Sequence, residues 1–431
     1  MTYKETIDYL FSQLPMFQRI GAAAYKANLD NTLALSRHLG NPETAFRSIH
    51  IAGTNGKGSV SHMLASVFQE QGYRTGLATS PHFSDFRERI KIDGKMIPEV
   101  EVVHFVNQHK AFFEQLQPSF FEMTMAMTFH WFAEQRVDIA IVETGMGGRL
   151  DSSNILTPEL AIITNIGFDH VRFLGPGIKD IAREKAGIIK QGVPVIIGKR
   201  QAEVQEVFAE VAARQKAQLT VAADHYILNK HIMVEDAGKK YLQVEMMHDG
   251  KVETFDVGLS GLYQTENLVT VLTACETINS AGKFFLSDKA IRKGLKLVVE
   301  NTGIKGRWQQ IGSNPRVICD TGHNPDGIDQ IVRQLKTLPH KRLLMVLGMV
   351  DDKDLPEILK RLPPKAAYYF CRPAVPRGLD AKKLETDAGF FGLEGRSFDS
   401  VSKALAAAKK DATADDLIFV GGSTFVVAEV L

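Results

Sequence analysis

The sequence predicts an α/β protein: a P-loop-like, doubly wound sheet domain followed by a smaller Rossmann-like α/β domain. Three observations predict it. A glycine-rich turn carrying one lysine, IHIAGTNGKGSV at residues 49–60, stands between an apolar strand and a helix. Strand and helix signals alternate after residue 48, and each strand run ends in polar or glycine residues, the pattern of a parallel sheet whose ligands gather at the strand C-termini. Near residue 300 the periodicity lapses in VVENTGIKGRW, and a second strand–helix series begins at RVICD. That lapse divides the chain into expected domains at 1–298 and 299–431.

Residues 48–52 form the first expected strand. Gly53, Gly56 and Gly58 let the backbone turn tightly and present N–H groups to an anion, while Lys57 supplies a point charge. Val60, Met63, Leu64, Val67 and Phe68 recur at helical spacing, so the helix is expected to lay one apolar stripe on the sheet and aim its N-terminus at the ligand. The spacing departs from Gly-x-x-x-x-Gly-Lys-[Ser/Thr], because only two residues separate Gly53 from Gly56 and Gly58 stands between Lys57 and Ser59. The loop Gly53, Thr54, Asn55, Gly56, Lys57, Gly58 and Ser59 is read as a cradle for ATP; the plainer alternative is a strand-to-helix turn that is merely rich in glycine. Residues 75–79, 137–142, 160–164 and 193–197 fit as further buried strands. Alternating segments such as YLQVEM, with turns at AspGly and AlaGly, predict an inserted antiparallel patch over 226–259. RVICD, RLLMVLG, AAYYFC and DLIFVGG supply the strands of the second domain, and no internal repeat or low-complexity tract interrupts the series.

Composition narrows the function classes. Lys plus Arg number 51 against 50 for Asp plus Glu, so a formal charge of +1 creates no field that would gather nucleic acid or an anionic membrane. Cys275, Cys319 and Cys371 lie far apart without metal-ligand spacing and read as reduced thiols of a cytoplasmic protein. The N-terminus lacks an apolar leader core, and no later apolar run nears the ~20 residues of a membrane span. A monomer acting on small molecules is expected.

Several residues stand where chemistry is done. Glu143 ends a buried strand, where its carboxylate can reach a magnesium ion bound to phosphates; the alternative is an acid that caps a strand at the surface. Asp169 and His170, in TNIGFDH, follow the next strand, which is expected to set His170 beside Glu143 across one interstrand spacing of ~4.8 Å. Histidine is an unusual ligand for magnesium, and a lone histidine is more often structural. Ser80 precedes Pro81 at the exit of a strand, so its hydroxyl either completes a metal shell or starts a loop. Asp320, Gly322, His323, Asn324 and Pro325 repeat the strand, turn and helix pattern in the second domain, where Asp320 or Asn324 can alternatively cap the helix.

Together GTNGKGS, TSPH, ERI, EKAGI, GR followed by W, and GHNP resemble the folylpolyglutamate synthase and dihydrofolate synthase family of the Mur ligase superfamily, from about residue 29 onward. The resemblance implies a central domain of Mur ligase type, a C-terminal glutamate-ligase domain, and the joining of L-glutamate to dihydropteroate and to the tails of reduced folates. It implies ATP and Mg2+, with an acyl phosphate formed first. It gives the triphosphate to Lys57 and the loop amides, the metal to Ser80, Glu143 and His170, and adenine and phosphate contacts to Asn267, Arg307 and Asp320. Lys185 in REKAGI would be a carbamylated lysine bridging toward a second metal, and without that modification it reads as a solvated helix residue. His323 and Ser423 match positions around the incoming glutamate. Asp30, Arg149 and Asp151 fall in pteroyl-side segments, and Arg149 with Asp151 favours the dual activity over tail extension alone. The reacting centre would comprise Lys57, His170, Lys185, Asp320 and His323. Departures from the family pattern are Thr144 after the strand glutamate, Gly322 for an alanine, and Ala27-Asn28 where glycine is common. A peptidoglycan Mur ligase is disfavoured, since only 52 residues precede Gly53, and so is a nucleotide switch, since TNIGFDH lacks the lysine of a base-reading Asn-Lys-x-Asp loop.

Overall fold

A computed structural model describes residues 1–13, 28–236, 238–351 and 353–431; Ala27 and the start of the expected pteroyl-flanking segment lie outside them. The chain forms two compact bodies. The first comprises Met1–Ile166, Val171–Gly258 and Gln264–Gly303, and the second Gly167–His170, Leu259–Tyr263 and Ile304–Leu431.

The first body is built on Arg47–Ala52 (β1), Thr75–Ala78 (β2), Ile90–Ile92 (β3), Lys95–Met96 (β4), Ile139–Glu143 (β5), Leu160–Ile163 (β6), Val195–Ile197 (β7) and Leu219–Val221 (β8). These form one sheet in the order β4-β3-β2-β5-β1-β6-β7-β8. Parallel pairing of β1 with both β5 and β6 makes β1 the strand where the winding reverses, the place where an open α/β sheet leaves a crevice at its C-terminal edge. This order corrects one expectation. β1 lies between β5 and β6, so the strand that ends in Glu143 and the one that leads to His170 are two spacings apart, not one.

The helix Lys57–Gln71 is buried around its whole circumference from Gly58 to Phe68, where one apolar stripe was expected. The reason is a second layer. The helices Gln264–Ala281, Asp288–Lys296 and Val298–Thr302 pack against it, so Ser61 and Ser66 are covered as fully as Val60 and Leu64, and His62 is buried too. Gly294 makes the approach possible: a Cβ there would lie 2.6 Å from the Cα of Val67, and Ser66 Oγ donates to the Gly294 carbonyl at 2.6 Å.

Ile227–Asp236 (β9), Lys239–His248 (β10) and Lys251–Val257 (β11) form the expected antiparallel patch in the order β11-β10-β9. The second body contributes Gln309–Ser313 (β12), Arg316–Asp320 (β13), Leu343–Leu347 (β14), Ala367–Cys371 (β15), Gly395–Phe398 (β16) and Leu417–Gly421 (β17). Their order is β12-β13-β17-β14-β15-β16, parallel except for β12. Among the described residues no helix is long and apolar enough to cross a membrane.

Candidate active site

The loop after β1 is held open by contacts on both sides. Gly53 has φ +146° and Gly56 φ +86°, conformations that suit glycine, and a Cβ on Gly53 would fall 1.9 Å from Thr164 Oγ1. Thr54 N donates to the Asn165 carbonyl at 2.9 Å and Asn55 N to Asn165 Oδ1 at 2.9 Å, while Thr164 Oγ1 donates to the Asn55 carbonyl at 2.6 Å. Residues just past β6 therefore set the loop's shape. Lys57, the first residue of the helix, folds its ammonium back to donate to the carbonyls of Gly53 and Thr54 at 3.1 and 3.2 Å.

Lys185 reaches the same loop. Its Nζ donates to the Gly53 carbonyl at 2.8 Å, and the residue is 4 % exposed. A solvated helix lysine is thereby ruled out, for the helix Ile178–Ala186 turns this face inward. Glu143 is also buried at the end of β5 and accepts from Ser80 N at 3.3 Å, so it is no surface cap. Arg89, 5 % exposed, adds a positive charge on the same side; burial pulls its guanidinium down to about 10 and the Glu143 and Glu88 carboxylates oppose that. Arg89 Nε donates to His82 Nδ1 at 2.7 Å, and burial beside this cation drives His82 down to about 3.

The residues fit a magnesium ion. Glu143 and the Ser80 hydroxyl offer oxygen, and Mg2+ commonly takes one or two such protein ligands and completes its shell from phosphate and water. Among the described residues no group of three or more His, Cys, Asp or Glu forms a ready cage.

Asn267 stands over the loop: a Cβ on Gly56 would lie 2.3 Å from its Oδ1. Asp151 is 5 % exposed and spends its carboxylate locally, accepting from Met146 N, Ser153 N and Ser153 Oγ. Arg149 is turned to the surface, where it pairs with Glu184 at 2.8 Å. Asp30 is exposed in the first turn of the helix Asp30–His38.

In the second body Asp320 is 3 % exposed and accepts from Tyr263 OH at 2.5 Å, Trp308 N at 2.7 Å and Gly322 N at 2.8 Å. Burial raises its carboxyl, and the Tyr263, Arg307 and backbone contacts only partly offset that. It does not cap the following helix; Asn324 does, accepting from Gly327 N at 2.9 Å. Arg307 donates to Thr321 Oγ1, beside Asp320. His323 Nε2 lies 3.2 Å from Asp169 Oδ2, and Lys353 Nζ donates to Asp169 Oδ1 at 2.6 Å. Burial raises the Asp169 carboxyl, but His170, Lys353 and His323 beside it prevail and hold it well below the usual carboxylate range. His170, at φ +52°, belongs to this body with Asp169. Ser423 is buried and caps the helix Thr424–Ala428 by accepting from Phe425 N at 3.2 Å.

Known proteins match this chain along its length. The Mur ligase middle domain matches residues 51–275, and the Mur ligase glutamate ligase domain matches residues 306–424. The chain is 34% identical over 417 residues to the dihydrofolate synthase/folylpolyglutamate synthase of Bacillus subtilis, covering 94% of both proteins. It belongs to the dihydrofolate synthase/folylpolyglutamate synthase family of Mur ligases. The folylpolyglutamate synthase of Lacticaseibacillus casei is 32% identical over 440 residues, covering 100% of this chain and 98% of that one. The structure of Escherichia coli FolC in complex with DHPP and ADP superposes with a TM-score of 0.85 at 29% identity, covering 100% of this chain and 97% of that one.

As a Mur ligase, the chain is an ATP-dependent ligase whose loop residues were legible in its sequence. Thr164, Asn165, Gln264, Tyr263 and Lys353 were not singled out. Each acts through a partner distant in sequence, so no local spacing marks it; Asp169 was noticed only for its neighbour His170.

Proposed function

We propose that this protein joins L-glutamate to dihydropteroate and to the glutamate tails of reduced folates, using ATP and Mg2+ and passing through an acyl phosphate. The observation that carries the reading is the loop Gly53–Ser59, with Lys57 opening the helix and the buried Glu143 ending the strand beside β1. Residues 1–298 are taken as the ATP-binding domain and 299–431 as the glutamate-ligase domain, apart from residues 299–303, which pack with the first body, and Gly167–His170 and Leu259–Tyr263, which pack with the second. The loop amides and Lys57 hold the triphosphate, with Asn267, Arg307 and Asp320 as further nucleotide contacts. Ser80, Glu143 and His170 would hold magnesium, which would neutralise charge on the phosphates. Carbamylation of Lys185 would make it an oxygen donor toward a second metal; its burial against the Gly53 carbonyl supports a placed role.

The acceptor carboxylate attacks the γ-phosphorus and ADP departs. The glutamate amine then attacks the acyl carbon and phosphate leaves. His323 and Ser423 serve the incoming glutamate, and Asp30, Arg149 and Asp151 the pteroyl side. We assign the enzyme to the cytoplasm, a reading supported by three cysteines too far apart in sequence to suggest a disulfide framework, and take it to act as a monomer.

The test is ADP release by purified protein with magnesium and L-glutamate, comparing dihydropteroate with tetrahydrofolate as acceptor. Release with both establishes the dual ligase. Release with tetrahydrofolate alone limits the enzyme to tail extension, and release with neither overturns the proposal.

A further inference from the structure

Gln264 is the first residue of the helix Gln264–Ala281, is completely buried, and uses both ends of its amide at the phosphate loop. Its Nε2 donates to Ser59 Oγ at 3.1 Å, and its Oε1 accepts from Asn267 Nδ2 at 2.7 Å. Ser59 and Asn267 are 1 % and 6 % exposed. Two consequences follow from this direction of donation. Ser59 receives a hydrogen bond, so its own proton is left for a phosphate oxygen. Asn267 surrenders an amine hydrogen to Gln264, which fixes its amide so that the carbonyl Oδ1 is the group standing over Gly56.

A carbonyl at that point cannot pair with phosphate, which offers only acceptors at neutral pH. It suits a ligand group that donates. On a nucleotide whose phosphates lie on the loop, the exocyclic amine of adenine is such a donor, whereas the 6-oxo group of hypoxanthine or guanine would face it acceptor to acceptor.

Resting on the ATP reading of the same loop, we propose that Gln264 is a specificity-determining positioning residue: by fixing the Asn267 amide it makes the site select a 6-amino over a 6-oxo purine nucleotide. Gln264 touches no base. It acts through Asn267, and the same side chain orients the Ser59 hydroxyl.

The test is equilibrium binding of ATP and of ITP, which differ at the 6-position, to intact protein and to two variants. Wild type should favour ATP by ~10-fold or more, the cost of leaving a buried carbonyl facing another acceptor. Gln264→Met, close in volume and without hydrogen-bonding groups, releases the Asn267 amide and should bring the ratio toward ~1. Gln264→Glu still accepts from Asn267 Nδ2 and should restore the preference while weakening both nucleotides, because it takes the Ser59 proton. Thermal unfolding shows whether each variant is folded. Equal binding of ATP and ITP by wild type overturns the proposal, as does a folded Gln264→Met that keeps the preference, or a folded Gln264→Glu that loses it. Binding is read without turnover, so a protein that binds ATP selectively but makes no folate product would sink the ligase reading and leave this one standing.

Discussion

At the scale of single residues, His50 shows how one hydrogen bond decides the state of another group. Ser153 has one proton and donates it to Asp151 Oδ1, so His50 must donate to Ser153 Oγ through Nε2, at 2.8 Å. Nδ1 is then a bare lone pair, buried without a partner, and burial with Lys190 nearby drives the imidazole down to about 3. The unfolded chain binds a proton near 6.5 that the folded chain refuses, so this residue removes stability as pH falls from about 6.5 toward 3. His50→Asn should therefore flatten the loss of stability between pH 6.5 and 4, measured as urea midpoints; parallel curves for the variant and wild type would refute the assignment. Gly56 gives a second prediction. Gly56→Ala would place an alanine at φ +86° with its Cβ against Asn267 Oδ1, at a cost of about 1–2 kcal/mol in the left-handed region. Titration should show weaker ATP binding together with a lowered urea midpoint, and an unchanged dissociation constant would show that the loop tolerates a side chain there.

At the scale of elements, the helix Lys57–Gln71 depends on Gly294. Gly294→Ala should push the helix Asp288–Lys296 off its neighbour, break the bond from Ser66 to the Gly294 carbonyl, and cost about 1–3 kcal/mol by overpacking. Thermal unfolding reads the loss, and an unaltered midpoint would mean that the pair can slide apart freely. The same helix marks a limit of the sequence. Its apolar positions announced a helix, but Ser61, His62 and Ser66 gave no sign of burial, because what covers them comes more than 200 residues later. Strands follow a similar rule. β5, β6, β14 and β17 are central and carry apolar runs, β1 is central but broken by Ser48 and His50, and β4, β12 and β16 are sheet edges of polar composition that carry no such run. In the candidate site, glycines and the lysine were legible because loop chemistry is local. Gln264 and Lys353 were not, since an ordinary glutamine or lysine becomes informative only once its partner is known.

At the scale of the whole molecule, the second body is not one continuous stretch of chain. Leu259–Tyr263 belongs to it through four hydrogen bonds: Ser260 Oγ to the Trp308 carbonyl, Leu262 N to Gln334 Oε1, Gln334 Nε2 to the Ser260 carbonyl, and Tyr263 OH to Asp320. At about 1 kcal/mol each, residues 304–431 made alone forfeit up to about 4 kcal/mol. Trp131→Phe leaves Trp308 as the single tryptophan, so its fluorescence follows this body in the intact chain. The excised segment should unfold at lower urea than the same body does there, and coincident transitions would refute the role given to that strap.

The position of β17 carries a consequence for synthesis on the ribosome. It lies between β13 and β14 in the middle of its sheet, yet it emerges after every other strand of that sheet. Until residues 417–421 leave the exit tunnel, β13 with β12 and β14 with β15 can pair, but the strand that joins the two pairs is missing and the facing edges of β13 and β14 stay open. Assembly of that sheet is thus a late event in the life of the nascent chain.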